Sequence, residues 1–189
     1  MATAYPTGLD VLTNPTAGSS LTSPSHADQH ANINDAMEAV QTKLAIGNTV
    51  IGTYTAFTPT FTNLTVGNGT STARFSRVNN VVNYYGFFTF GTTSSASATE
   101  AKITLPVTAN GIYGGVNGVI MGNSTFYDAS ASTWYKGEVM SIGSTTLGVF
   151  RCFNSSGTYL TNMANVTTTN PFTWTTGDQL IWDMTYEAA

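Results

Sequence analysis

Two periodicities divide this chain. Between His26 and Leu44 the apolar positions recur at intervals of three and four, and from Thr49 onward they alternate with polar ones. In the first stretch Ile33, Met37, Val40 and Leu44 are separated by four, three and four residues, the a/d spacing of a helical seam. Extended backward, the same line lands on His30 and then His26. The opposite face carries Asn32, Asn34, Asp35, Glu38, Gln41, Thr42 and Lys43. Just upstream, "SPSHAD" writes a helix start: Ser23 can cap with Pro24 at the first helical position, and Ser25 can cap with Asp28 three residues on. Gly47 stops the helix. A helix of about 20 residues with so narrow an apolar stripe is not stable alone in water. It either docks on the rest of the chain or pairs with copies of itself as a short coiled coil.

The second period predicts strands. "TYTAFTPTFTNLTVGNGT" alternates Thr with Tyr, Phe, Leu and Val, then breaks at "GNG". "TARFSRVNNVVNYYGFFTFG" follows, with "VNN" predicted as a hairpin turn. "AKITLPV", "YGGVNGVIMG", "STFYDASASTWYKGEVM", "TTLGVFRCFN" and "DQLIWDMTYEA" continue the pattern, with no further helix. Short strands between Gly, Asn and Ser turns predict a mainly β chain, its C-terminal domain an antiparallel β-sandwich or jelly roll. Pro59 and Pro106 belong at strand ends or an edge, and Phe172, Trp174 and Trp182 in the core. Residues 1–22 are polar and broken by Pro6, Gly8, Pro15 and Gly18, the pattern of an extended arm. Tyr5, Leu9, Val11 and Leu12 are its means of lying in grooves on a partner. The expected organisation is an arm over 1–22, a capped oligomerising helix over 23–47 and a β domain over 48–189.

Composition narrows the function classes. Charged residues make up 8% of the 189-residue chain, against about 25% in an average protein. Six scattered Lys and Arg do not form the basic cluster that nucleic-acid binding requires. No apolar run approaches the roughly 18 residues that span a bilayer, and "MATAYPTGLDVLTNPT" lacks the basic start and apolar core of a secretory signal. Aromatic residues at 12% argue against disorder. The single cysteine, Cys152, sits in the alternating segment "VFRCFNSSG" and is expected as a small buried hydrophobe.

Candidate chemistry is sparse. His26 and His30 stand four apart, a spacing at which two imidazoles on a helix can share a metal. The metalloprotease motif needs Glu directly after the first His, and Ala27 stands there. Surface histidines beside a cap are one reading. Another brings one copy of each from several chains to an axis, a polar register-setting layer able to hold water, an anion or an ion. Asp128 and Glu138 flank an expected hairpin and could face each other as glycosidase carboxylates do. "VGNGTST" and "GTTSS" are polar turns, not phosphate loops, since neither has the Lys and following helix. Tyr84, Tyr85, Trp134, Tyr135 and Tyr159 are candidates for a carbohydrate or protein contact, although the alternation sends most of them inward.

"SLTSPSHADQHANINDAMEAVQTKLAIG" resembles an N-terminal segment of minor structural proteins of tailed bacteriophages, especially those of actinobacterial hosts. "FTPTFTNLTVGNGTSTARFSRVNNVVNYYGFFTFGTT", "ITLPV" and "NPFTWTTGDQLIWDMTYEAA" resemble successive landmarks of their C-terminal domain, in the same order. One departure is Asn79, where the pattern often has Gly; Asn also tolerates turn geometry. The resemblance implies a non-enzymatic virion component without a cofactor: a trimeric tail fibre, tail-tip protein or head fibre on the particle surface. The arm would meet a capsid, portal-neck or tail protein, and the β domain a host-surface glycan or protein. Carried over by position, the anchoring motif falls on Ser23, Pro24, His26, Gln29, His30 and Asn34, and the turn motif on Asn63, Gly67, Asn68 and Gly69.

Overall fold

The computed structural model describes residues 26–44, 52–156 and 159–189. They fall into two units divided after Thr53. The expected arm and the capping residues Ser23, Pro24 and Ser25 lie outside the described residues, as does Gly47. In the first unit His26–Leu44 form helix α1, with Asp28 in its first turn, where a carboxylate favours the helix dipole. This helix is not long and apolar enough to cross a membrane.

The second unit is built from strands: β1 (Thr55–Phe57), β2 (Phe61–Thr62), β3 (Leu64–Thr65), β4 (Thr70–Val78), β5 (Val81–Thr89), β6 (Ser95–Ala96), β7 (Lys102–Thr104), β8 (Val119–Asp128), β9 (Thr133–Ser141), β10 (Leu147–Ser156), β11 (Tyr159–Asn165) and β12 (Gln179–Glu187). β3 and β6 pair with each other; the other ten form one antiparallel sheet ordered β1-β4-β5-β12-β8-β9-β10-β7-β2, with β11 also on β10. "YGGVNGVIMG" is only partly a strand, since Gly111–Gly114 make a 3₁₀ turn and β8 begins at Val119. Pro59 lies between β1 and β2 and Pro106 just after β7, both outside strands, where a missing N–H breaks no ladder. Asn79 and Asn80 form the expected two-residue hairpin loop between Val78 and Val81. Asn79 takes φ 52°, the left-handed conformation such loops require and Asn tolerates.

The sheet is one continuous ladder, curled into an open half-barrel. Phe150 of β10 and Trp182 of β12 stand three strand steps apart, about 14 Å on a flat sheet, yet their ring centroids are 6.1 Å apart. Phe61, on the far end strand β2, reaches Trp182 at 6.0 Å and Phe88 at 5.4 Å. Inside the curl pack Val82, Tyr84, Phe88, Phe126, Phe150 and Trp182, all buried. Outside it the alternate residues of the same strands meet solvent, as period-2 patterning demands. Gly86 makes room for this packing: a Cβ there would come within 2.6 Å of the Trp182 ring.

Tyr84 and Trp182 bury polar atoms, the Tyr hydroxyl and the indole N–H, for which no hydrogen bond of ordinary geometry forms among the described residues. Burial, and next the nearby Tyr186, push the Tyr84 hydroxyl well above its ordinary pKa, so it stays protonated. Tyr186 is better served. Its hydroxyl donates to the Val107 carbonyl at 2.8 Å and accepts the Val107 N–H at 3.3 Å, tying the segment after β7 to the last strand.

Two polar side chains fasten the loops at the sheet ends. Asp178 is fully buried; one oxygen accepts the Ala129 N–H at 2.9 Å and the other the N–H and hydroxyl of Thr175. Its carbonyl accepts from Phe90 N–H, so one residue joins the ends of β5 and β8 to the start of β12. Asn68 is the second. Its Oδ1 accepts from the N–H and hydroxyl of Thr93 at 2.9 and 3.0 Å, its Nδ2 donates to Thr92 Oγ1 at 2.8 Å, and its N–H donates to Thr93 Oγ1 at 2.9 Å.

Trp182→Ala is expected to cost about 3–5 kcal/mol, as removal of a large core ring does. Asn68→Ala, which removes clasp bonds at an exposed site, should cost about 1–2 kcal/mol. Urea denaturation of the two variants measures both; equal losses would show that the clasp matters as much as the core.

Candidate functional site

The seam of the helix is exposed. Ile33 and Met37 are 53% and 54% exposed, and Val40 is half-buried. The side chains of Leu44 and Gln29 lie outside what the structure describes, and Asn34 is exposed on the helix. Four residues of helix put His26 and His30 one turn apart, their ring centroids 4.4 Å from each other and edge-on. Their Nε2 atoms are 3.0 Å apart, a hydrogen bond in which one ring donates and the other accepts. Among the described residues no group of three His, Cys, Asp or Glu side chains could hold a metal ion.

The turn motif divides into two places. Asn63, at φ 61°, donates from Nδ2 to the Glu100 carbonyl at 2.9 Å and accepts the Ser97 N–H at its own carbonyl. Gly67, Asn68 and Gly69 form a separate tight turn, closed by Gly69 N–H to the Val66 carbonyl at 2.9 Å. This turn docks on Gly91–Ser94, so "VGNGT" and "GTTSS" are two halves of one clasp. Gly67 is required twice over: it holds φ 55°, and a Cβ there would collide with the Thr93 carbonyl. Every polar group of Asn68 named above is used within the clasp, which gives the motif a structural role.

The candidate surface aromatics separate by face. Tyr84 is in the core, and Tyr135 leans inward on Phe172 with centroids 5.1 Å apart. Trp134 is 56% exposed and packs at a tilt against Tyr127, its neighbour across the β8–β9 ladder, with centroids 4.5 Å apart. Tyr85 is exposed. The side chain of Tyr159 lies outside the described residues.

Around Tyr85 the outer face of β4, β5 and β12 forms a groove of about 450 Å³. Tyr54, Thr72, Arg74, Phe87, Ile181 and Asp183 line it with Tyr85. Register builds it: Arg74 and Asp183 flank Tyr85 directly on the two neighbouring strands. Tyr54 meets the Tyr85 ring edge-on at 5.1 Å, and Arg74 donates to the Tyr54 carbonyl at 3.3 Å, which holds the guanidinium over the groove wall. Of these residues the aromatic candidates read from the sequence include only Tyr85. The signal for Phe87 was present in "NYYGFF", where doublets of aromatics place one ring on each face.

Asp128 and Glu138 do not face each other. Asp128 pairs with Thr133 at the turn, while Glu138 lies five residues farther along β9, opposite Asn123 and Arg151. That is about 17 Å of strand, beyond the separation of either kind of glycosidase pair. They also point to opposite faces, because the buried side of β8 carries Asp128 and its exposed side Asn123. Asp128 instead accepts from the Ser130 hydroxyl at 2.7 Å and the Ala131 N–H at 3.0 Å, bonds that hold its carboxyl below the usual range. Glu100 bonds Lys102 at 2.8 Å and Arg151 at 3.2 Å.

Cys152 is buried, as its position in the alternation predicts. Its thiol donates to the Ala164 carbonyl at 3.6 Å and accepts from Asn170 Nδ2 at 2.9 Å, while burial pushes its pKa up. Thiol titration should therefore find no fast-reacting group in the native protein and one per chain after unfolding in urea. Rapid labelling of the native state would show that the site opens.

In comparisons with known proteins, no family model, no curated protein and no solved structure matched the chain.

Proposed function

We propose that the chain is a homotrimeric structural protein on the surface of a tailed-phage particle, a fibre or spike without catalytic activity. The observation that carries this reading is the exposed seam of α1. A 19-residue helix whose apolar positions are more than half exposed at Ile33 and Met37 needs a partner helix to be stable. The a/d spacing of Ile33, Met37, Val40 and Leu44 suits a copy of itself. The likeness of the "SPSHADQHANINDAMEAVQTKLAIG" stretch and of the later landmarks to phage minor structural proteins supplies the setting.

In this reading residues 1–22 lie on a capsid, portal-neck or tail protein, the helix trimerises, and the β unit is distal. His26 and His30 begin the bundle as a polar layer of six imidazoles, where an axial water or ion can sit. The curled sheet then corresponds to a jelly-roll sandwich whose two leaves remain joined along one ladder. Low charge suits the task, because contacts made without ion pairs have little for salt to screen.

A second reading makes the β unit a receptor- or glycan-binding tip. The exposed aromatic groove around Tyr85 favours it over a glycan hydrolase, since the Asp128–Glu138 separation does not fit a carboxylate pair.

Mass measurement in solution should give three times 20.0 kDa. The double change Ile33→Asp and Val40→Asp should reduce this to the monomer by placing carboxylates in the seam; an unchanged mass excludes the helical interface. Removal of residues 1–22 should leave the trimer intact and abolish incorporation into particles. Loss of the trimer on that deletion would instead make the arm part of the oligomer interface.

A further inference from the structure

The geometry points to a saccharide site: the groove on the outer face of β4, β5 and β12 binds a neutral hexopyranose unit of a glycan. The sugar ring lies on Tyr85 and Phe87, and Arg74 and Asp183 hold hydroxyls at its two edges. This deepens the tip reading of the β unit and rests on it for its biological setting.

A pyranose has an apolar face of C–H bonds and a rim of hydroxyls, so its site needs an aromatic floor with donors and acceptors at the margin. Tyr85 and Phe87, two apart on β5, project from the same face and are each 40% exposed. Tyr54, edge-on to Tyr85, raises a wall beside them.

The rim is set by register. Arg74 and Asp183 sit directly across from Tyr85 on its two sides, two strand steps or about 10 Å apart at the backbone. A ring seated on Tyr85 therefore has on one side the Arg74 guanidinium, one of whose five N–H groups is held by the Tyr54 carbonyl, and on the other a carboxylate acceptor. Their formal charges cancel, which selects against anionic and cationic ligands and suits a neutral polyol. The groove's volume of about 450 Å³ falls in the range of roughly 300–1,000 Å³ typical of small-ligand sites. Beyond the groove the same face continues through Asn123 and Thr125, paired with Asp183 and Ile181, which offers polar contacts to a second sugar. The Trp134–Tyr127 pair farther along has rings but is not among the groove's lining residues, and so serves as an internal control.

The test uses the full-length protein and the methyl glycosides of glucose, galactose, mannose and N-acetylglucosamine, read by saturation-transfer NMR and calorimetry. At least one should bind with a Kd on the order of 1 mM or lower. Tyr85→Ala, Phe87→Ala and Arg74→Gln should each weaken it about tenfold or more, while Tyr85→Phe, which keeps the ring, and Trp134→Ala retain it. Unchanged urea midpoints would assign those losses to the groove and not to folding. Absence of binding by all four glycosides overturns the site. Binding that survives Tyr85→Ala and disappears with Trp134→Ala also overturns it, while leaving a glycan-binding tip standing. A change in solution mass caused by Tyr85→Ala would overturn it in favour of a face between copies, a result separate from that of the Ile33 and Val40 changes on the helix.

Discussion

The β unit depends on its last strand lying in the middle of the sheet. β12 pairs with β5 along Gln179–Glu187 and with β8 along Gln179–Met184, so among the described strands it is the one that joins the hairpin of β4 and β5 to the meander of β8, β9 and β10. Its inward residues Leu180, Trp182, Met184 and Tyr186 are all buried. Trp182 is where the curl closes, since rings from β2, β5 and β10 meet it. The partner of β12 on one side lies some hundred residues earlier, the non-local kind of pairing that makes folding slow. Until these residues are in place the two halves have no shared strand.

The loops around this sheet are held by Thr, Ser, Asn and Asp side chains bonded to backbone, and less by charge pairs. Asp178 gathers three chain segments, and Asn68 fastens two turns that begin about 25 residues apart. Hydrogen bonds of this kind are short-ranged and lose little when salt screens long-range fields. The composition thus has a structural meaning: few charges, many short polar side chains, and loops that close on themselves. For a protein proposed to sit on a particle exposed to changing solutions, that choice is physically coherent.

The same strands that build the core also expose the candidate site. On β5 the inward set Val82, Tyr84 and Phe88 fills the half-barrel, while Tyr85 and Phe87 are left outside, beside Tyr54, Arg74, Ile181 and Asp183. The floor of the groove belongs to β5, a strand paired on both sides, by β4 and by β12. Arg74 and Asp183 owe their positions to register alone, and a slip of one residue would turn both away from it.

What the sequence by itself determined was local. The three-and-four spacing from His26 to Leu44 specified a helix with a seam, alternation specified strands but sent Tyr85 and Trp134 to no particular face, and Asn79–Asn80 specified a hairpin. Each follows from contacts among residues close in the chain. The single cysteine's burial followed from the same alternation. The tertiary structure alone decided which strands became neighbours, and so it decided everything that depends on neighbours. It made one curled ladder of strands expected in a sandwich, joined "VGNGT" to "GTTSS" through Asn68, and made Asp178 a buried anchor. It also separated Asp128 from Glu138 and set Arg74 and Asp183 beside Tyr85. Hydrophobic period fixes which side of a strand faces inward, but pairing is settled by the fit of the whole core, and no short stretch of this chain carries that information.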